Sequence, residues 1–139
     1  MVFYTAGPMA DRPFVKEVAE KLRDAYYDVN SRWLDVPEET PEGMTQDEYM
    51  HQQAVHDLED LLAADALIYV NTGHKSEGKA TELGVAMATA KPIVVVGGKE
   101  NNIFLHLGFP NFPTIEEAIQ WIKTEEEAYN QQRNASGSL

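Results

Sequence analysis

The stretch from Asp65 to Gly98, DALIYVNTGHKSEGKATELGVAMATAKPIVVVGG, restricts the fold of this chain more than any other. Ala66-Leu67-Ile68-Tyr69-Val70 is an apolar run long enough for a buried strand and too short for a typical helix. A polar loop with two glycines, Asn71 to Gly78, follows, and then a run of helix formers from Thr81 to Ala88. Lys91-Pro92 stops that helix, because proline disfavours the α region for the residue before it. Ile93-Val94-Val95-Val96, apolar on both faces, reads as a second strand ended by Gly97-Gly98. The strand, helix and strand make a βαβ unit with a right-handed crossover and parallel strands. In open sheets of this kind ligands bind beyond the carboxyl ends of the strands. The 71–78 loop lies there, and the spacing places Glu82 in the first turn of the following helix.

A carboxylate early in a helix complements the positive end of the helix dipole, which is the ordinary role of such a residue. The neighbours of Glu82 open a second reading. Gly78, Ala80 and Gly84 let a ligand or another backbone approach closely, and Ser76, Glu77 and Lys79 add polar groups. A carboxylate at the mouth of an α/β sheet can act as a nucleophile or a general base.

The rest of the chain supplies the remaining layers. Val2 to Thr5 is β-prone and ends at the turn residues Ala6-Gly7-Pro8. Asp11 and Pro13 open a helix with Phe14, Val15, Val18, Ala19, Leu22 and Tyr26 on its apolar face, ending near Tyr27. A second strand is expected from Asp28 to Trp33, where Trp33 is either a base-stacking residue or a core or rim residue. Residues 35–44 form an acidic loop of the length used for lids and for disordered excursions. Thr45 and Glu48 match a capping box for a helix to about Ala64, with Tyr49, Ala54, Leu58, Leu61 and Leu62 as its buried stripe. Asp57 sits mid-helix beside Glu59 and Asp60, where a solvated face is the default reading. A short helix or loop over 99–107 is expected to bury Phe104 and Leu107, and a short strand near Phe109–Phe112 follows. Thr114 and Glu117 cap a last helix with Ala118, Ile119 and Ile122 inward and Trp121 at the rim; residues 134–138 read as a frayed end. The whole predicts a three-layer α/β sandwich, flavodoxin- or Rossmann-like, with a mostly parallel sheet of four or five strands. One domain over residues 1–127 is expected, followed by a polar tail, 128–139.

Composition excludes several classes of function. A formal net charge of −12 argues against gripping a nucleic-acid polymer, which takes clustered Lys and Arg. The absence of cysteine removes thiolate chemistry and disulfides and fits a cytoplasmic protein. No apolar run approaches a membrane span and no signal peptide is visible. His51, His56, His74 and His106 do not fall at metal-ligand spacings, so no metal is expected. No phosphate-binding Gly-x-x-x-x-Gly-Lys loop, dinucleotide Gly-x-Gly-x-x-Gly fingerprint or Gly-x-Ser-x-Gly elbow is present.

Three segments taken together point further. Tyr4-Thr5-Ala6-Gly7-Pro8-Met9, the segment from Asp57 to Asp65, and Ser76-x-Gly78-x-x-x-Glu82-Leu83-Gly84-x-Ala86 resemble, in order and spacing, the nucleoside 2-deoxyribosyltransferase family. That family also includes the 2′-deoxynucleoside 5′-monophosphate N-glycosidases. The resemblance implies that Glu82 is the nucleophile that takes the deoxyribosyl group and that Asp57 helps to hold the substrate. It further implies that Ala6, Gly7, Pro8, Ser76 and Gly78 bind substrate. Transferases of the family often carry aspartate where this chain has Ser76, and the monophosphate glycosidases carry serine. The expected partners are a deoxynucleoside or deoxynucleotide and a nucleobase, with no cofactor. A homo-oligomer is expected too, since family members borrow groups from a neighbouring subunit. A non-catalytic nucleotide-binding domain is the reading from another class.

Overall fold

The computed structural model describes residues 1–99 and 102–137. Five strands form one sheet in the order β2-β1-β3-β4-β5, every neighbouring pair parallel. They are β1 (Val2–Ala6), β2 (Asp28–Val29), β3 (Ala66–Val70), β4 (Ile93–Val96) and β5 (Asn111–Phe112). Four α-helices, α1 (Arg12–Asp24), α2 (Gln46–Ala63), α3 (Glu77–Ala88) and α4 (Ile115–Gly137), connect and cover them. The central strands are buried on both faces, as a sheet between two helical layers requires. Val15, Val18, Ala19 and Leu22 of α1 and Ile115, Ala118 and Ile122 of α4 pack with them in one core. Three-layer α/β is the architecture that the apolar runs predict.

Several local expectations are corrected. The second strand stops at Val29, and Arg32–Leu34 is a 3-10 turn. Ser31 explains the break, because its hydroxyl takes a hydrogen bond from the Thr5 amide (2.8 Å) where a strand carbonyl would otherwise pair. Helix α1 ends at Asp24, and two residues on Tyr26, with a φ of 71°, turns the chain away and leaves its ring in solvent. Phe14 is also half exposed, so the buried face of α1 is narrower than its sequence suggests.

On α2 only Tyr49 and Leu61 of the expected stripe are buried, while Ala54, Leu58 and Leu62 face outward. Asp60 takes an inner position instead, held by Arg32. In the 3-10 segment Ile103–Leu107, Leu105 is the buried residue and Phe104 and Leu107 are exposed. Glu100 and Asn101 of the expected 99–107 element lie outside the described residues. Helix α4 runs past residue 127 to Gly137, through most of the stretch expected to fray. The Thr45–Glu48 capping box is formed in both directions (3.1 Å each).

The 35–44 loop is tied at its start. Arg12 donates to the carbonyls of Trp33 (3.1 Å) and Val36 (2.6 Å), and the Tyr49 hydroxyl donates to the Pro37 carbonyl. At the other edge of the sheet mouth, Gly97 sits so close to β3 that an added Cβ would stand 2.0 Å from the Asn71 carbonyl oxygen. Its φ of +115° is likewise open only to glycine, so the end of β4 and the loop after β3 are locked together.

Candidate active site

The turn after β1, the 3-10 turn at Trp33, α2 and the start of α3 meet in a small cavity of about 140 Å³. Its walls include Gly7, Trp33, Asp57, Ser76, Gly78 and Glu82. Of the residues singled out from the sequence, Gly7, Asp57, Ser76, Gly78 and Glu82 therefore share one cleft. Ala6, fully buried within β1, and Pro8, which begins the turn into α1, are not among the lining residues. Gly7 has a packing role as well: a Cβ there would lie 2.6 Å from Val15 Cγ2, so its lack of a side chain lets α1 close on the β1 turn.

Helix α3 begins at Glu77, four residues before the start expected at Thr81, so Glu82 stands in its second turn. That position weakens the dipole-complement reading, since the effect is confined to the first turn. The Ser76 hydroxyl caps the helix by accepting from the Lys79 amide (3.2 Å). Glu82 is turned inward instead of outward. Its Oε2 atom and the Tyr4 hydroxyl are both buried without a well-formed hydrogen bond among the described residues. The two groups are nevertheless close enough for the phenol to draw the carboxyl pKa down somewhat. Burial outweighs that pull, and with the Asp57 charge it raises the Glu82 pKa to about 8. Burial, then the neighbouring Asp60, raises Asp57 to about 6, opposed by His56 and Arg32. Burial and the same carboxylates push the Tyr4 phenol up as well.

Two acids with unequal, elevated pKa values in one crevice are a recurrent sign of acid–base or nucleophilic chemistry. Between about pH 6 and pH 8 this pair holds a single proton.

Trp33 forms another wall of the cleft. Its indole nitrogen donates to the Thr5 carbonyl (2.8 Å), which fixes the ring plane beside the carboxylates. Asp11, expected as a helix cap, makes no capping bond. Its carboxylate accepts from the Thr72 hydroxyl (2.5 Å) and faces His74 Nδ1 (2.6 Å), joining the β1 and β3 loops at the rim.

A family model described as Nucleoside 2-deoxyribosyltransferase matches residues 3–134. The chain belongs to the nucleoside 2-deoxyribosyltransferase family. Two solved structures share its fold. A conserved protein from Enterococcus faecalis V583 superposes with a TM-score of 0.70 at 21% identity, covering 90% of this chain and 98% of the other. A 2-deoxyribosyltransferase from Bacillus psychrosaccharolyticus superposes with a TM-score of 0.68 at 22% identity, covering 86% and 90%. No curated protein matches.

Within this deoxyribosyltransferase fold, three lining residues were outside the expected site. Gln53 lies one helical turn before Asp57 on α2, and Met9 follows the Ala-Gly-Pro turn. Lys79, three residues before Glu82, is the third, and it is 95% buried (5% exposed). The three-residue spacing from Glu82 was a usable signal for it, since such residues share a helix face. Arg12, the other cation within reach in sequence, is occupied with the 35–44 loop.

Proposed function

We propose that the chain cleaves the N-glycosidic bond of a 2′-deoxynucleoside through a Glu82 nucleophile and passes the deoxyribosyl group to another nucleobase or to water. The observation that carries this reading is the pairing of Glu82 and Asp57 in one cavity, with Glu82 Oε2 buried and unpaired. As the bond from C1′ to the base nitrogen breaks, positive charge develops on the sugar, and the ionised Glu82 carboxylate captures C1′ as a glycosyl ester. The base leaves with the single proton that the pair shares. The reaction runs through the form with that proton on Asp57 and Glu82 ionised, the minor form in the empty cleft because the deeper burial of Glu82 favours the proton there. In the second half, a base nitrogen or a water attacks C1′, the ester bond breaks, and Glu82 is released as the carboxylate. Asp57 takes the proton lost by the attacking group.

Tyr4 is proposed as a positioning residue, since its hydroxyl faces the Glu82 carboxyl from a buried site. Ala6, Gly7, Pro8, Ser76 and Gly78 are proposed to shape the sugar side of the cleft, and Trp33 to carry the base on its face.

A 5′-monophosphate substrate with water as acceptor is the second reading, favoured by the hydroxyl of Ser76 beside the first amides of α3. A cytoplasmic homo-oligomer is proposed as the working form. Met50, Val55, Leu58 and Leu62 leave an exposed apolar strip on α2 that supports self-association, to be checked by analytical ultracentrifugation.

The test of the reaction is release or exchange of free base from a panel of deoxynucleosides and their 5′-monophosphates. Turnover by the wild type that Glu82→Gln abolishes supports it. A folded wild type inert on the entire panel sinks it in favour of a binding domain.

A further inference from the structure

Beside the Glu82 cavity lies a second one of about 190 Å³, and the two share the Ser76 and Lys79 wall. Tyr69, Asn71 and His74 line its far side. Lys79 is the feature to explain. The residue as a whole is buried, yet no carboxylate of the described residues lies within ion-pair distance of its ammonium. Its hydrogen-bonding partner is Asn71 Oδ1, at a long 3.3 Å, and its other support is the Tyr69 ring, 5.2 Å from Nζ to the centroid. An ammonium has three donors. Among the described residues, one weak neutral acceptor, one ring face and the more distant charge of Asp11 leave this one short of what water would provide. A buried charge without a counter-ion is costly, and burial accordingly lowers the Lys79 pKa. Supporting the hydrophobic stem alone would not require a charge at this place.

We propose that this second cavity is a binding site for a small tetrahedral oxyanion, phosphate in the first instance, with Lys79 as its counter-ion. Ser76 adds a hydroxyl donor from the shared wall. Lys75 adds a cation among the lining residues, against the single lining carboxylate of Glu77 among the described residues. Two sources fit this chemistry: free inorganic phosphate, and the phosphate of an ester whose remainder occupies the Glu82 cavity. The site does not depend on the proposed glycosidic reaction, because free phosphate can bind without turnover.

The experiment is a titration of the isotope-labelled full chain with inorganic phosphate, followed by amide NMR at constant ionic strength. Saturable shifts centred on residues 74–80 are expected in the wild type. Affinity should fall by about tenfold or more in Lys79→Met, the usual cost of losing a charged hydrogen-bond donor. Ala80→Glu, an exposed lining position, keeps Lys79 but sets a carboxylate beside the cavity, and it should weaken phosphate likewise. It decides the matter if Lys79→Met does not fold.

A parallel titration of Glu82→Gln with a deoxynucleoside and its 5′-monophosphate separates the sources. A tighter nucleotide, with the advantage lost on adding Lys79→Met or Ala80→Glu, identifies the ester; equal binding of both beside retained phosphate binding identifies the free anion. Absence of saturable phosphate shifts overturns the proposal. So do shifts reproduced by chloride, or an affinity unchanged in the folded Lys79 variant or in Ala80→Glu.

Discussion

Replacing Glu82 by Gln should increase the stability of the protein at neutral pH while removing its activity. The reason is the displaced proton affinity. Glu82 titrates at 4.5 in an ordinary environment and at about 8 in the folded chain. Above pH 4.5 the unfolded chain releases this proton while the folded chain keeps it. The folded state therefore binds more protons, and stability falls as pH rises until Glu82 ionises in the native state as well. Each tenfold difference in proton affinity is worth about 1.4 kcal/mol, so the loss accumulated by pH 7 is about 3 kcal/mol. Gln carries no such penalty at any pH. Urea denaturation of both proteins at pH 5, 6, 7 and 8 measures it directly. The stability gap between variant and wild type should widen steadily with pH, while Asp57, present in both, largely cancels. Turnover by the variant should be lower by at least about a thousandfold, the scale expected when a nucleophile is removed. A gap that stays constant from pH 5 to 8 would show that Glu82 ionises normally despite its buried oxygen.

The same pair sets the pH–rate curve: kcat/KM for a deoxynucleoside should be bell-shaped, with limbs near 6 and 8. A flat profile across that range would contradict the assignment. Asp57→Asn should lower kcat/KM by about a hundredfold or more, as for loss of a general acid. Glu59→Gln, exposed on the same helix, should change it by less than about twofold in the same kinetic assay. Ser76→Ala removes the cap on the Lys79 amide and should cost about 1 kcal/mol in thermal or urea unfolding. Gly97→Ala, which sets a Cβ 2.0 Å from the Asn71 oxygen at a φ of +115°, should cost about 3 kcal/mol or prevent folding, read by circular dichroism.

The sheet was legible because its three central strands are apolar on both faces. Such runs announce themselves without tertiary information. The edge strand β2 was not, since what ends it is one hydroxyl, Ser31, standing in for a backbone carbonyl. Leu58 and Leu62 follow helical spacing but point outward, because Arg32 draws Asp60 to the inner side of α2. Periodicity reports that a face exists; it does not report which charge a distant arginine will bury. Lys79 reads from the sequence as a polar neighbour of Glu82, but its burial was not legible, for a related reason. With the helix start read at Thr81, Lys79 fell in a loop. Gly78 lowers helix propensity there, and the Ser76 cap lacks the glutamate that completes a capping box. Once the helix begins at Glu77, Lys79 and Glu82 become neighbours along one side of it.

Arg32 joins two parts of the cleft that the chain makes separately. It precedes Trp33 directly, and its guanidinium grips Asp60, one helical turn after Asp57, at 2.9 Å. The aromatic wall and the second carboxylate are thus bolted to each other across the 23 intervening residues, 34–56. Residues 39–44 of the acidic loop, beyond the anchors at Val36, Pro37 and Glu38, can therefore change without moving either one. Edits there would leave the alignment of Trp33 with Asp57 intact.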